Sequence, residues 1–133
     1  MSKENVDAWT RIIAAYNRGD KAGFLAEQHP DCETIPIRDW PDQGPYVGAA
    51  QRDFYMEAED VWRSERPPIE DMEIVDAGDR LFVRLSRMAR IRGSEEPMDF
   101  TLYGAATFRE GKLARVQWFL EREEALEAAG LRE

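Results

Sequence analysis

Apolar residues recur at three- and four-residue steps near the start of the chain and at two-residue steps in its second half. Helices therefore come first and strands come after them. Val6, Trp9, Ile13 and Tyr16 put one apolar face on a helix over residues 3–18. Asn17-Arg18-Gly19-Asp20 stops it, with Gly19 free to turn left-handed and Asp20 able to cap the next helix. That second, short helix over about 20–28 presents Phe24 and Leu25, and His29-Pro30-Asp31 ends it because the residue before proline disfavours helix. Ala50, Phe54, Ala58, Val61 and Trp62 share a face of a third helix over 48–63, which Arg66-Pro67-Pro68 breaks.

Strand patterns occupy most of the remainder. Cys32–Ile37 is a short strand candidate, leading into a turn-rich loop, residues 39–46, that holds Trp40 and Tyr46. Loops usually avoid exposed aromatics, so these two are expected to cover something. Ile69–Asp76, Leu81–Ile91, Phe100–Phe108 and Leu113–Leu120 are the later strands, with Ala77-Gly78-Asp79, residues 92–97 and Glu110-Gly111 as turns. At Glu110-Gly111 a tight hairpin needs positive backbone angles. Residues 122–130 form a short helical tail ended by Gly130. Helices before strands indicate one α+β domain over residues 1–133, with helices covering one face of a twisted antiparallel sheet.

Composition narrows the functional classes. The 133 residues are 43% hydrophobic and 34% charged, which suits a globular domain with its own core. A net charge of −9 argues against nucleic acid and anionic membrane surfaces as partners. No apolar run approaches a membrane span, and Met1-Ser2-Lys3-Glu4-Asn5 carries no apolar signal region, so a cytoplasmic location is expected. Cys32 stands alone and cannot form an internal disulfide; a small buried hydrophobe on a strand is preferred to a nucleophile paired with His29. There is no glycine-rich phosphate loop, no His/Cys metal spacing and no Ser-His-Asp arrangement, so neither metal nor cofactor is expected.

The segments RIIAAYNRGD (11–20), HPDCE (29–33), YVG (46–48), FREGK (108–112) and EALEAAGL (124–131) occur in a recognisable order over nearly the whole chain. On these segments the chain resembles the SnoaL-like, polyketide cyclase-like group of the nuclear transport factor two-like superfamily. The resemblance implies a cystatin-like α+β roll: a curved sheet wrapped by three helices of the N-terminal half into a cone, with a cavity at the wide end and frequent homodimers packed through the sheet. It does not imply one activity, since the group spans isomerases, cyclases, hydrolases, dehydratases and non-catalytic modules. The acid/base residues of similar steroid isomerases would fall at Ile12, near Ile35 or Pro36, and around Gly104 to Ala106, none of which is a carboxylate or a phenol. The late-strand acid of similar polyketide cyclases is likewise absent from Val116, Trp118 and Leu120.

Alternation assigns the candidate site. Ala114, Val116, Trp118 and Leu120 share one strand face, with Leu113, Arg115, Gln117 and Phe119 opposite; Phe100, Leu102, Gly104, Ala106 and Phe108 match the first set. Leu81, Val83 and Leu85 alternate with Phe82, Arg84, Ser86 and Met88, so both faces carry apolar residues and something must cover the second. A homodimer through this sheet is the simplest expectation. The family alignment turns Arg84 toward the cavity, where a guanidinium would anchor an anionic or enolic ligand; the alternatives are a pair with Glu33 or Asp39, or solvent exposure at a strand edge. Glu33 is the second catalytic candidate, although its parity points away. Trp40, Tyr46, Phe54, Trp62, Arg84, Met88 and Trp118 are the expected ligand-binding set. Together they suggest a domain that binds a small apolar molecule, with cofactor-independent catalysis left open. The alternative is a non-catalytic dimeric accessory domain whose cavity is filled by its own side chains.

Overall fold

The computed structural model describes residues 2–18, 20–38, 44–48, 69, 71–89 and 98–131. The third helix expected at 48–63, the loop around Trp40 and the turn at 92–97 lie outside the described residues. The elements are α1 (Ser2–Arg18), α2 (Lys21–Ala26), β1 (Gln28–Ile35), β2 (Tyr46–Val47), β3 (Asp71–Asp76), β4 (Arg80–Ala89), β5 (Met98–Arg109), β6 (Lys112–Phe119) and α3 (Arg122–Ala128). The α+β order expected from the pattern holds. The described strands form one sheet in the order β2-β1-β6-β5-β4-β3.

One pairing departs from the antiparallel expectation: β1 runs parallel to β6, so the sheet is mixed. The two strands are separated by most of the chain, well beyond the dozen or so residues that a parallel crossover needs. β1 also starts earlier than proline placement suggests. Gln28 already pairs with Leu113, and the pairing shifts before Glu33. Pro30 falls inside that irregular stretch, where its missing N–H breaks no ladder bond. Consequently α2 ends at Ala26, and the Asp20 carboxylate caps it by accepting from the Gly23 N–H at 2.9 Å.

α1 lies across the inner face of the sheet and is tied down at both ends. Asn5 Nδ2 donates to the Gly78 carbonyl in the β3–β4 turn at 3.1 Å. Asn17 accepts from the Ile69 N–H at 2.9 Å and donates to the Ile69 carbonyl at 3.3 Å. Between these anchors Ala8, Trp9, Ile12, Ile13 and Ala15 are buried against Cys32, Leu81, Val83, Leu85, Ala106, Phe108, Leu113, Val116 and Trp118. Cys32 is fully buried on its strand, in the packing role expected for it.

A second cluster occupies the opposite, outer face. Phe82 and Ala105 are buried there beneath Ala125, Leu126 and Ala129 at the C-terminal helix, with Val75, Tyr103, Phe119 and Leu131 around them. α3 is locked by its last turn. Gly130 has φ +82°, its N–H donates to the Glu127 carbonyl at 3.0 Å, and the Leu131 N–H donates to the Leu126 carbonyl at 2.8 Å. These are the two bonds of a Schellman cap. The apolar residues on both faces of β4 are thus explained within the chain: α1 covers Leu81 and Val83, and α3 covers Phe82.

Candidate functional site

The inner face of β5 and β6 is where small and large residues meet. Gly104 pairs with Trp118 across the two strands. A Cβ at 104 would lie 2.9 Å from Trp118 Cζ3 and 3.0 Å from Val83 Cγ2. The absence of a side chain at 104 is therefore what lets the indole lie close over β5. The Trp118 ring also meets Trp9 of α1, with centroids 6.2 Å apart and planes tilted by 49°. Ile12 and Ala106 pack in the same cluster, and Leu102 lies at its margin.

The described residues of this surface are uncharged. Among the described residues, the buried polar side chains are Asn5, Gln28 and Thr34. Asn5 is committed to Gly78, and Gln28 Nε2 donates to the Phe24 carbonyl at 2.7 Å. Of the positions aligned above with the acid/base groups of similar steroid isomerases, Ile12, Pro36, Gly104 and Ala106 are buried and Ile35 is half-buried. Among the described residues no group of three or more His, Cys, Asp or Glu could hold a metal ion. The surface can bind apolar matter; these residues offer it no general acid or base.

One polar atom is left over. Trp9 is 2% exposed and its Nε1 has no hydrogen-bond partner among the described residues. Sequence reasoning placed Trp9 on the apolar face but missed this. No local signal in the sequence announces it, since Asn5, one turn before Trp9, carries an amide oxygen able to accept.

The expected site residues divide into three groups. Trp118 lies on the inner face as anticipated, and Tyr46 of β2, half-buried, pairs with the fully buried Thr34. Trp40, Phe54 and Trp62 lie outside the described residues, and Met88 is described only through its backbone pairing with Asp99. The two charged candidates point the other way.

Arg84 alternates with the inward Val83 and Leu85, so it stands on the outer face with Phe82. This corrects the cavity-facing placement. Among the described residues, its Nε donates to Glu73 at 3.3 Å and one terminal nitrogen to Ser86 Oγ at 2.9 Å, in place of the pair with Glu33; Asp39 lies outside the described residues. Glu73 additionally accepts two bonds from Arg122 of α3, at 3.0 and 3.1 Å. The Arg122 guanidinium lies 4.9 Å above the Phe82 ring. The Arg122 bonds hold the Glu73 carboxyl below its ordinary range; partial burial opposes them, and the Arg84 bond adds to them. Glu33 also faces outward, 3.9 Å from Arg115 and half-exposed, opposite Val47 of the edge strand. The parity inferred for it is correct.

Leu113 faces the core rather than the outer side assigned to it by simple alternation. The pairing of β5 with β6 slips between Thr107 and Phe108, leaving Ala114 as an extra residue. Such a bulge reverses the parity on one side of it. Leu120, expected inward, lies just beyond β6 and is 45% exposed.

No protein-family model matches the sequence, and no curated protein matches it significantly. Solved structures do. A nuclear transport factor two-like protein from Burkholderia xenovorans is 28% identical, with 97% of each chain covered and a TM-score of 0.72. TerC, crystallised with polyporic acid, is 23% identical over 93% of this chain and 98% of its own, at a TM-score of 0.72. A Xanthomonas campestris protein provisionally called a polyketide cyclase is 22% identical over 92% of this chain and 94% of its own, at 0.66.

Proposed function

We propose that the chain, whose fold is shared with nuclear transport factor two-like proteins, is a small-molecule-binding domain of the SnoaL-like kind. Its ligand is apolar, neutral and held against the inner face of the sheet. The observation that carries this reading is the character of that face: Trp9, Ile12, Ala106 and Trp118 packed without a buried charge around Gly104. An apolar lining with very few polar groups is the usual composition of a small-molecule site. A cytoplasmic location and use as a homodimer belong to the same proposal; the first is supported by the acidic sequence with its single cysteine.

The uncharged inner face favours binding over acid/base chemistry at these residues. If the protein is also a catalyst, its acid or base comes from outside this set.

A second reading has one observation in its favour. Trp118 lies so close over Gly104 that the ring itself fills space a ligand would otherwise use. On that reading the domain is a non-catalytic dimeric accessory module with a side-chain-filled interior.

Thermal-shift screening separates the two, because a ligand that binds the native state raises its apparent stability by mass action. Polyporic acid, steroids and aromatic polyketides are the first compounds to screen. A saturable rise in Tm with any of them, weakened by substitution of Trp118, supports the binding domain. A flat response across the panel supports the filled module.

A further inference from the structure

Among the described residues, Arg11, Arg18, Arg38, Arg84, Arg115 and Arg122 each reach a carboxylate, and Arg80 donates to the Ala128 carbonyl. Arg109, exposed at the end of β5, reaches no acid among them, in a chain with 27 acidic residues against 18 basic ones. Asp31 and Glu110 are exposed close by in sequence or register, and neither bonds to it. Its contact is with His29 at the start of β1, where a terminal guanidinium nitrogen lies 3.3 Å from the ring Nε2.

The His29 ring is claimed twice. The Asp31 backbone N–H points at its Nδ1 from 3.2 Å. A neutral imidazole has one acceptor nitrogen, and its other nitrogen carries a hydrogen. The two contacts therefore cannot both be hydrogen bonds. The backbone decides between them. β6 pairs with Gln28 and next with Glu33, so Asp31 stands outside that ladder and its N–H is held against the ring by a two-residue turn. The guanidinium sits on a long exposed side chain and is free to bond elsewhere. Nδ1 is thus the acceptor, and Nε2 carries the hydrogen. Two N–H groups from different strands then converge at the surface, and neither is an acceptor for the other. Oxygens bearing negative charge satisfy both at once. Lys112, paired with Arg109 across the hairpin, adds a positive charge nearby, with its own nitrogen on the Ala26 carbonyl.

We propose that Arg109 and the His29 Nε2–H form a two-donor fork that binds a small oxyanion, a carboxylate or phosphate group taking both N–H bonds. The fork stands or falls independently of the inner-face reading.

The test uses the intact chain and follows the His29 ring and Arg109 side-chain ¹⁵N resonances. Sodium phosphate, sodium acetate and sodium chloride are titrated at one pH and matched ionic strength. An oxyanion should move both resonances saturably and chloride should not; the tighter of phosphate and acetate names the group recognised. Arg109→Gln should weaken that binding at least about tenfold, the effect of losing one charge-assisted hydrogen bond. Arg115→Gln removes an exposed arginine already paired with Glu33 and should leave it within about twofold. Without added anion, the ring nitrogens should show the hydrogen on Nε2. Hydrogen on Nδ1 overturns the fork, because Arg109 then donates to Nε2. Movement that chloride reproduces, binding that Arg109→Gln leaves unchanged, or no saturable movement with either oxyanion overturns it equally. Should Arg109→Gln fail to fold, the wild-type titrations and ring-nitrogen shifts decide the question alone.

Discussion

Gly104 and Trp118 face each other across β5 and β6, and the missing side chain of the first makes room for the ring of the second. Gly104→Ala would place a methyl carbon 2.9 Å from the indole, under the distance real Cβ contacts reach. The ring cannot move freely, because Trp9 also packs against it. Gly104→Ala should therefore destabilise the fold by about 1–3 kcal/mol, the range for overpacked cores. Combining it with Trp118→Phe should give a smaller loss than the sum of the two single changes, measured by urea denaturation. Additive losses would mean that the two positions do not share one space.

Arg84 is the most tempting catalytic candidate in the sequence, and its surroundings predict the opposite behaviour. It stands on the outer face, bonded to Glu73 and Ser86. Arg84→Met should leave affinity for any inner-face ligand unchanged, within about twofold. It should lower stability by no more than about 1 kcal/mol, as for other partly exposed ion pairs. Titration of the same ligand against both proteins checks the first point. A large loss of affinity with an intact fold would return Arg84 to the site.

The placement of Arg84 marks the limit of what a sequence like this discloses. Periodicity located α1, both hairpins at Gly78 and Glu110-Gly111, and the tail helix ended by Gly130, because those signals are local. Alternation also assigned Val116, Trp118 and Ala106 to the inner face correctly. It failed for Leu113, where a one-residue bulge reversed the pattern. It could not foresee the parallel pairing of β1 with β6, which depends on the path of the whole chain. Nor could it foresee that Arg122 and Glu73, far apart in sequence, would form a bidentate pair. The unpaired Trp9 nitrogen is a property of the assembled core, and no spacing rule announces it.

Glu73 joins α3 to the sheet through Arg122, and this gives the attachment a pH dependence. Its carboxyl is held below the ordinary range chiefly by the Arg122 hydrogen bonds. A group whose folded-state value is depressed contributes stability above its unfolded value, near 4.3 for glutamate, and that contribution disappears as pH falls through the folded value. Glu73→Gln should therefore lower stability at pH 7 by about 1 kcal/mol, discounted for its partial exposure. The gap between wild type and variant should close as the medium becomes more acidic than the ordinary carboxylate range. A gap independent of pH would assign the effect to packing.

α3 explains the apolar residues on the sheet's outer face, so its loss should reveal them. Leu126 is buried there in the cluster with Phe82 and Ala105. Leu126→Ala should cost about 2–4 kcal/mol, the range for a leucine removed from a packed site. Partial detachment of the helix would also uncover Phe82, which should appear as increased binding of an apolar dye before global unfolding. Sedimentation of the wild type at micromolar concentration tests the proposed dimer separately. A monomer there would mean that α3 suffices as the cover.

Glu110 occupies a conformation that its side chain does not favour. With φ +55° it opens the two-residue β5–β6 hairpin, and Gly111 comes next at +80°. Two positive angles in succession define a type I′ turn, for which Asn-Gly is the preferred pair. Most L-residues lose about 1–2 kcal/mol on entering the left-handed region, and asparagine loses less because its short amide bonds locally. Glu110 is exposed at the tip of the hairpin, where a replacement side chain meets solvent. Glu110→Asn should therefore stabilise the protein by about 0.5–1 kcal/mol. The gain should appear as a raised urea midpoint with an unchanged slope. Glu110→Val should move the midpoint the other way, because a β-branched residue tolerates this backbone least. If both substitutions lower the midpoint equally, the glutamate side chain itself contributes to the turn and backbone strain is not what limits it.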